Sequence, residues 1–113
     1  MEFDFKLKLA RTWFIDLDGT LLKHNGYKYG EDVLLSGVDK LFDNIADNDI
    51  VVITTARSIM YKENTIEFLK NNKIRYNHII FDLPSGERIL INDMKPDGTK
   101  TAYCFNIKRD GGF

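Results

Sequence analysis

Asp16 and Asp18 stand one residue apart where an apolar run, Trp13-Phe14-Ile15, meets Gly19 and Thr20. Side chains alternate along a strand, so these acids would share a face only if the strand continued, and Gly19 argues that it stops. The pattern predicts a strand closing near Asp16 and a tight loop that gathers both carboxylates and some backbone N–H groups at one point. Two carboxylates ionised in one small volume repel each other unless a cation joins them or one keeps its proton. A hard divalent ion meets that need, and Mg²⁺ is typically held by one or two carboxylates with waters and substrate phosphate. Asp, Gly and Thr also favour turns, so the same residues could form a turn and helix start with no metal.

Hydrophobic periodicity indicates the elements that must position these acids. Residues 11–16 read as a first strand, and Val38, Leu41, Phe42 and Ile45 fall at helical spacing after Ser36 or Gly37 as start signals. Residues 50–54 are continuously apolar and β-branched up to Thr54, as in a strand buried on both faces of a parallel sheet. Residues 58–71 form a second helix pattern, with Ile59, Ile66 and Leu69 inward and Asn71-Asn72 as the stop. Residues 76–81 and 89–92 read as further strands around a turn-rich linker at 83–87, and residues 101–107 as a last strand. This alternation predicts an α/β layered fold with a mostly parallel central sheet.

Open sheets of this kind bind ligands at the carboxyl ends of their strands. The second strand ends in Thr54, Thr55, Ala56 and Arg57, where hydroxyls, a guanidinium and a helix start can hold an anion. The threonines or Ser58 could equally cap the helix that follows. Another apolar run ends in Asn92 and Asp93, while Asp97 lies within a Pro-Asp-Gly turn that needs no metal.

The stretch Phe14-Ile15-Asp16-Leu17-Asp18-Gly19-Thr20-Leu21-Leu22 resembles the first signature of the haloacid dehalogenase-like superfamily. Thr55-Ala56-Arg57 resembles its second motif and Asp93 with Asp97 its fourth, in the family's order, over residues 11–97. The resemblance implies a Rossmann-like three-layer sandwich and a Mg²⁺-dependent phosphatase that hydrolyses a phosphomonoester, a sugar phosphate or similar small metabolite, through an aspartyl-phosphate. By position, Asp16 would be the nucleophile and Asp18 the general acid/base. The metal would sit among Asp16, Asp18 with its backbone carbonyl, and Asp93. Thr55 would bind the phosphoryl group, with Thr54 less suited, and Gly19, Thr20 and Arg57 would complete the substrate site. The family's Lys-Pro lysine is missing, since Leu83-Pro84 stands at the comparable place. Lys95 is the preferred replacement, Lys73 the alternative, and Arg57 could contribute; without any of them the chain would be a binding or regulatory domain. Phosphoryl transfer to an acceptor other than water would use the same residues. Neither insertion point, residues 23–36 or 73–79, has room for a cap domain. The site would therefore be open, with the loop 24–30 as a small flap through Tyr27, Lys28 or Tyr29, or with a second subunit covering it.

At 113 residues the chain reads as a single domain, 1–113. Sixteen basic against seventeen acidic residues leave no field that would favour nucleic acid or a membrane surface. No apolar run approaches the roughly 20 residues of a membrane span. Met1-Glu2-Phe3-Asp4-Phe5-Lys6 lacks a secretory pattern, so a cytoplasmic setting is expected. The lone cysteine, Cys104, reads as a buried small hydrophobe, and His24 as a solvated loop residue.

Overall fold

The computed structural model describes residues Met1–Phe113. Three apolar segments form its sheet: β1 (Thr12–Asp16), β2 (Ile50–Thr54) and β3 (His78–Ile80), in the order β1-β2-β3 and parallel throughout. Asp16 lies in register with Thr54 and Thr54 with Ile80, so the carboxyl ends of the strands are level. The helices are α1 (Gly26–Tyr29), α2 (Val38–Phe42) and α3 (Lys62–Asn71). Gly37 enters α2 in the left-handed region at φ 80°, and a Cβ there would collide with the Phe113 carbonyl oxygen. Ser58 accepts the Met60 N–H at 3.2 Å and opens a short 3-10 turn, Ile59–Tyr61, that leads into α3. The chain is thus an α/β domain on a three-stranded parallel sheet, and none of its helices is long and apolar enough to cross a membrane.

Pleating puts Trp13, Ile15, Val51, Ile53 and Ile79 on one face of the sheet. On that side Ile15, Val51 and Ile53 join Val38 and Leu41 of α2 and Leu69 of α3 in one buried cluster. Ile59, expected to point inward with Leu69, is half exposed, because its 3-10 turn precedes the helix proper. The opposite face carries Phe14, Ile50, Val52 and Ile80, and Phe14 remains 59% exposed. Parallel sheets ordinarily have both faces covered.

The strands expected at 89–92 and 101–107 do not form. Their apolar patterns suit a strand, but a strand needs a neighbour for its N–H and C=O groups, and residues 84–94 and 100–107 make no backbone–backbone hydrogen bond. Every residue from 84 to 98 is exposed. The radius of gyration is accordingly 14.8 Å, with a longest dimension of 49 Å, against about 13 Å for a compact chain of this length. Cys104 lies on the unpaired return of this arm and is exposed, contrary to the burial expected of it.

A buried carboxylate ties the amino end of the sheet together. Asp49, 2% exposed, accepts the Arg11 N–H at 2.9 Å, the Trp13 indole N–H at 2.9 Å and the Ala46 N–H at 3.0 Å. Burial works against its charge, but these three donors outweigh it and hold the carboxyl below its ordinary value of 3.8. A depressed carboxylate contributes stability above the unfolded-state pKa and loses it as pH falls through the folded-state value. Asp49→Ala should therefore lower the unfolding free energy at pH 7 by about 3 kcal/mol. Urea unfolding of both proteins checks this, and the gap should narrow once the pH is taken below 3.8.

Candidate active site

Asp16 ends β1, half buried, and its Oδ2 accepts the Thr20 hydroxyl at 3.2 Å. Thr20 is the only side chain that bonds the carboxylate, and the Leu17 N–H adds a weaker pull on its charge. Partial burial raises the Asp16 pKa above 3.8; Thr20 and the charge of Arg88 pull it back, and Asp18 adds to the rise. The chain reverses at Gly19, whose φ of 86° belongs to the left-handed region, and the Leu21 and Leu22 N–H groups close onto the Leu17 carbonyl at 2.9 and 3.0 Å. The carboxyl tail clasps this loop: the Asp110 N–H donates to the Gly19 carbonyl at 2.9 Å, and Asp110 accepts the His24 N–H at 2.8 Å.

Asp18 faces a different environment. Its Oδ1 accepts Arg57 Nη2 at 2.6 Å and its Oδ2 accepts the Thr55 hydroxyl at 3.1 Å. Arg57 is 2% exposed, and both terminal nitrogens also reach Asp32, each at 3.0 Å. Nη1 donates to the Thr65 hydroxyl of α3 at 2.9 Å, and the guanidinium lies 4.0 Å from the Tyr27 ring centroid. Burial opposes the Arg57 charge, but Asp32 and Asp18 more than offset it and hold the guanidinium charged even more firmly than usual. Its Nε is buried without a partner.

The structure brings Asp16, Asp18, Gly19, Thr20, Thr54, Thr55 and Arg57 to the carboxyl end of β1 and β2. Access to them differs. Thr55 is fully buried, and its oxygen also accepts the Arg57 N–H at 2.9 Å, whereas Thr54 is partly exposed and in register with Asp16. Arg57 is committed to carboxylates rather than presented to solvent. Tyr27 of the expected flap packs beneath Arg57 and against Tyr61 at 4.7 Å, leaving Tyr29 exposed.

Asp93 and Lys95 lie on the exposed arm formed by residues 84–98. The Asp93 carbonyl accepts the Thr101 hydroxyl, and Lys95 opens a turn in which its N–H donates to the Thr99 carbonyl at 3.0 Å. Asp97 accepts the Thr99 N–H at 2.9 Å, which lowers its pKa and gives it the turn role available from sequence. Lys73 follows α3 in the left-handed region at φ 56°. No group of three His, Cys, Asp or Glu side chains is close enough to hold a metal ion, so Asp93 does not join Asp16 and Asp18 within one chain.

Sequence reasoning missed Asp32, Arg88 and Arg109. Asp32 is 25 residues from Arg57, inside a stretch with no periodicity to mark it. Arg88 precedes an apolar run, and Arg109 opens an Arg-Asp-Gly-Gly turn whose Cγ would lie 3.1 Å from a Cβ on Gly19. Their local signals are those of a strand start and a turn, and neither suggests a site. Compared with family models, characterised proteins and solved structures, the chain finds no match.

A carboxyl whose pKa is raised by folding costs stability above its folded-state value, and that cost vanishes below the unfolded-state value. Asp16→Asn should therefore unfold at higher temperature than the wild type at pH 7. The difference should shrink towards pH 3.8 and disappear below it. Thermal unfolding across that pH range checks the direction.

Proposed function

We propose that the chain is a Mg²⁺-dependent phosphomonoester hydrolase in which Asp16 accepts the phosphoryl group. The observation that carries this reading is the contrast between the two acids. Asp16 is partly desolvated and bonded by a single side chain, Thr20, whereas Asp18, two residues on, is fixed by both Arg57 and Thr55. Neighbouring carboxylates in unlike environments take unlike roles.

In this scheme Asp18 first takes a proton from solvent at the oxygen that substrate binding frees; Asp16 Oδ1 attacks phosphorus, the ester P–O bond breaks, and Asp18 passes that proton to the departing oxygen. Water, losing a proton to Asp18, then attacks phosphorus; the bond to Asp16 breaks and inorganic phosphate leaves. Both Asp18 oxygens are engaged in the resting site. A phosphoryl oxygen competing for the Thr55 hydroxyl would release Oδ2 for proton transfer, giving Thr55 a part in substrate binding despite its burial. Thr54, accessible beside Asp16, and the Thr20 hydroxyl are the other donors at hand.

The donor set fits a small hard cation in part: no side chain bonds Asp16 Oδ1, and the Asp18 backbone carbonyl accepts no hydrogen bond. Mg²⁺ held there would neutralise phosphoryl charge. The reading also implies the Rossmann-like three-layer arrangement, in which the face bearing Phe14 and Ile80 would receive a further layer. A small, accessible phosphate ester such as a sugar phosphate suits a site without a cap.

A second reading, a binding or regulatory domain, is favoured by Asp93, which stands on the exposed arm outside any cluster with Asp16 and Asp18. Turnover of p-nitrophenyl phosphate separates the two. The hydrolase reading expects Mg²⁺-dependent release of p-nitrophenol that falls at least 10³-fold in Asp16→Asn, a loss of about 4 kcal/mol of transition-state stabilisation. Activity that survives this substitution would rule out Asp16 as the nucleophile.

A further inference from the structure

Ile89, Leu90, Ile91 and Met94 are 83%, 59%, 90% and 61% exposed in one short stretch whose backbone pairs with nothing. The stretch is nonetheless ordered at its tip. Asn92 Nδ2 donates to the Thr101 hydroxyl at 2.6 Å, that hydroxyl donates to the Asp93 carbonyl, and the Lys95 N–H and Gly98 N–H close the turn. A preformed, apolar arm with unpaired N–H and C=O groups is a template for strand addition to another chain. The sheet offers a matching edge, because β1 is terminal in the order β1-β2-β3 and Phe14 stands exposed on it.

We propose that the arm of one copy adds to the free edge of β1 in a second copy, parallel to it, so that Asp93 and Lys95 arrive at Asp16 of the partner subunit. Residues 89–92, whose strand pattern finds no backbone partner within one chain, thereby gain one, while Tyr103 and Phe105 stay packed on Phe5 and Phe3 of their own chain at 5.3 and 5.2 Å.

Chain direction selects a second copy over the arm's own sheet. The Asp82 and Leu83 N–H groups donate to the Arg57 and Thr55 carbonyls at 2.9 and 3.1 Å, so the chain leads towards Ile89 from the carboxyl end of the sheet. The five residues after Arg88 can reach at most about 18 Å from it, and Asp93 forms no cluster with Asp16 and Asp18 of its own chain. Parallel pairing with its own β1 would require the chain to return first to the amino end. Such crossovers take a dozen or more residues, and only residues 81–88 separate β3 from Ile89. A two-fold pair has no such limit: each copy gives an arm and receives one, and both sites are completed. Each site then gains what a single chain leaves out. Lys95 offsets the excess of Asp16, Asp18 and Asp32 over Arg57, and Asp93 adds the third carboxylate for a cation.

The roles of Asp93 and Lys95 rest on the hydrolase reading; the exchange itself does not. Sedimentation of the full chain at tens of micromolar should give a dimer, and Ile89→Asp/Ile91→Asp should give a folded monomer. In a Cys104→Ser background, mixing Asp16→Cys chains with Asp93→Cys chains under mild oxidation should yield a disulfide-linked dimer that neither forms alone. Mixing inactive Asp16→Asn with inactive Asp93→Asn should restore about a quarter of wild-type turnover, since half the dimers are mixed and each has one intact site. A cross-link without any wild-type turnover would support the exchange and count against the hydrolase reading alone. A monomeric wild type, or a dimer with neither cross-link nor restored turnover, would overturn the proposal.

Discussion

The buried guanidinium of Arg57 is the contact on which the rest of the site depends. It joins five parts of the chain: the end of β2 that carries it, the loop after β1 through Asp18, the segment before α2 through Asp32, α3 through Thr65 and α1 through Tyr27. A charge buried to this extent persists only when its partners are fixed around it, and removing one side of such a pair costs about 3–5 kcal/mol. Lysine could not replace it, because a point charge on a flexible stem cannot bridge two carboxylates with the geometry of a planar fork. Arg57 thus acts as a positioning residue: it sets where Asp18 stands and, through the shared loop, where Asp16 is presented.

The same contact sets the electrostatics. One guanidinium shared by Asp18 and Asp32 leaves an excess of negative charge, and Asp16 lies beside it with little to accept its own charge. Its raised pKa, caused first by desolvation and reinforced by Asp18, reflects that position. A phosphate dianion would be repelled unless cations accompany it. Arg88, whose charge already acts on Asp16, and Arg109, which lies against Gly19, are the cations the chain itself brings near. A hard divalent ion would supply the remainder.

What the sequence revealed, and what it hid, follows from the range of each interaction. Strand β2 was legible to the residue, because four consecutive apolar β-branched residues have few alternatives, and the turn at Gly19 was legible because only a left-handed residue closes it. The sequence placed Asp16 and Thr54 at strand ends but did not pair them; the register that sets them side by side is a property of the sheet. The role of Arg57 did not: a guanidinium after a strand suits an anion, and nothing local shows that Asp32 claims it first. Cys104 and the segments 89–92 and 101–107 show the opposite error. Their patterns suit burial and pairing, but a pattern cannot supply the backbone partner a strand needs, and neither segment has one within the chain. Only 16 of 113 residues are buried, a small core for this length, which agrees with a chain that leaves part of its apolar surface to be covered elsewhere.

The central claim is that Asp16, and not Asp18, is the carboxylate that takes a phosphoryl group. Fluorine NMR of the protein with Mg²⁺ and beryllofluoride, which adds to a carboxylate oxygen as a phosphoryl mimic, tests it without a substrate. Protein-bound fluorine resonances that appear in the wild type and in Thr54→Ala, but not in Asp16→Asn, are the expected result. Resonances that persist in Asp16→Asn, or that never appear in the wild type, would contradict it.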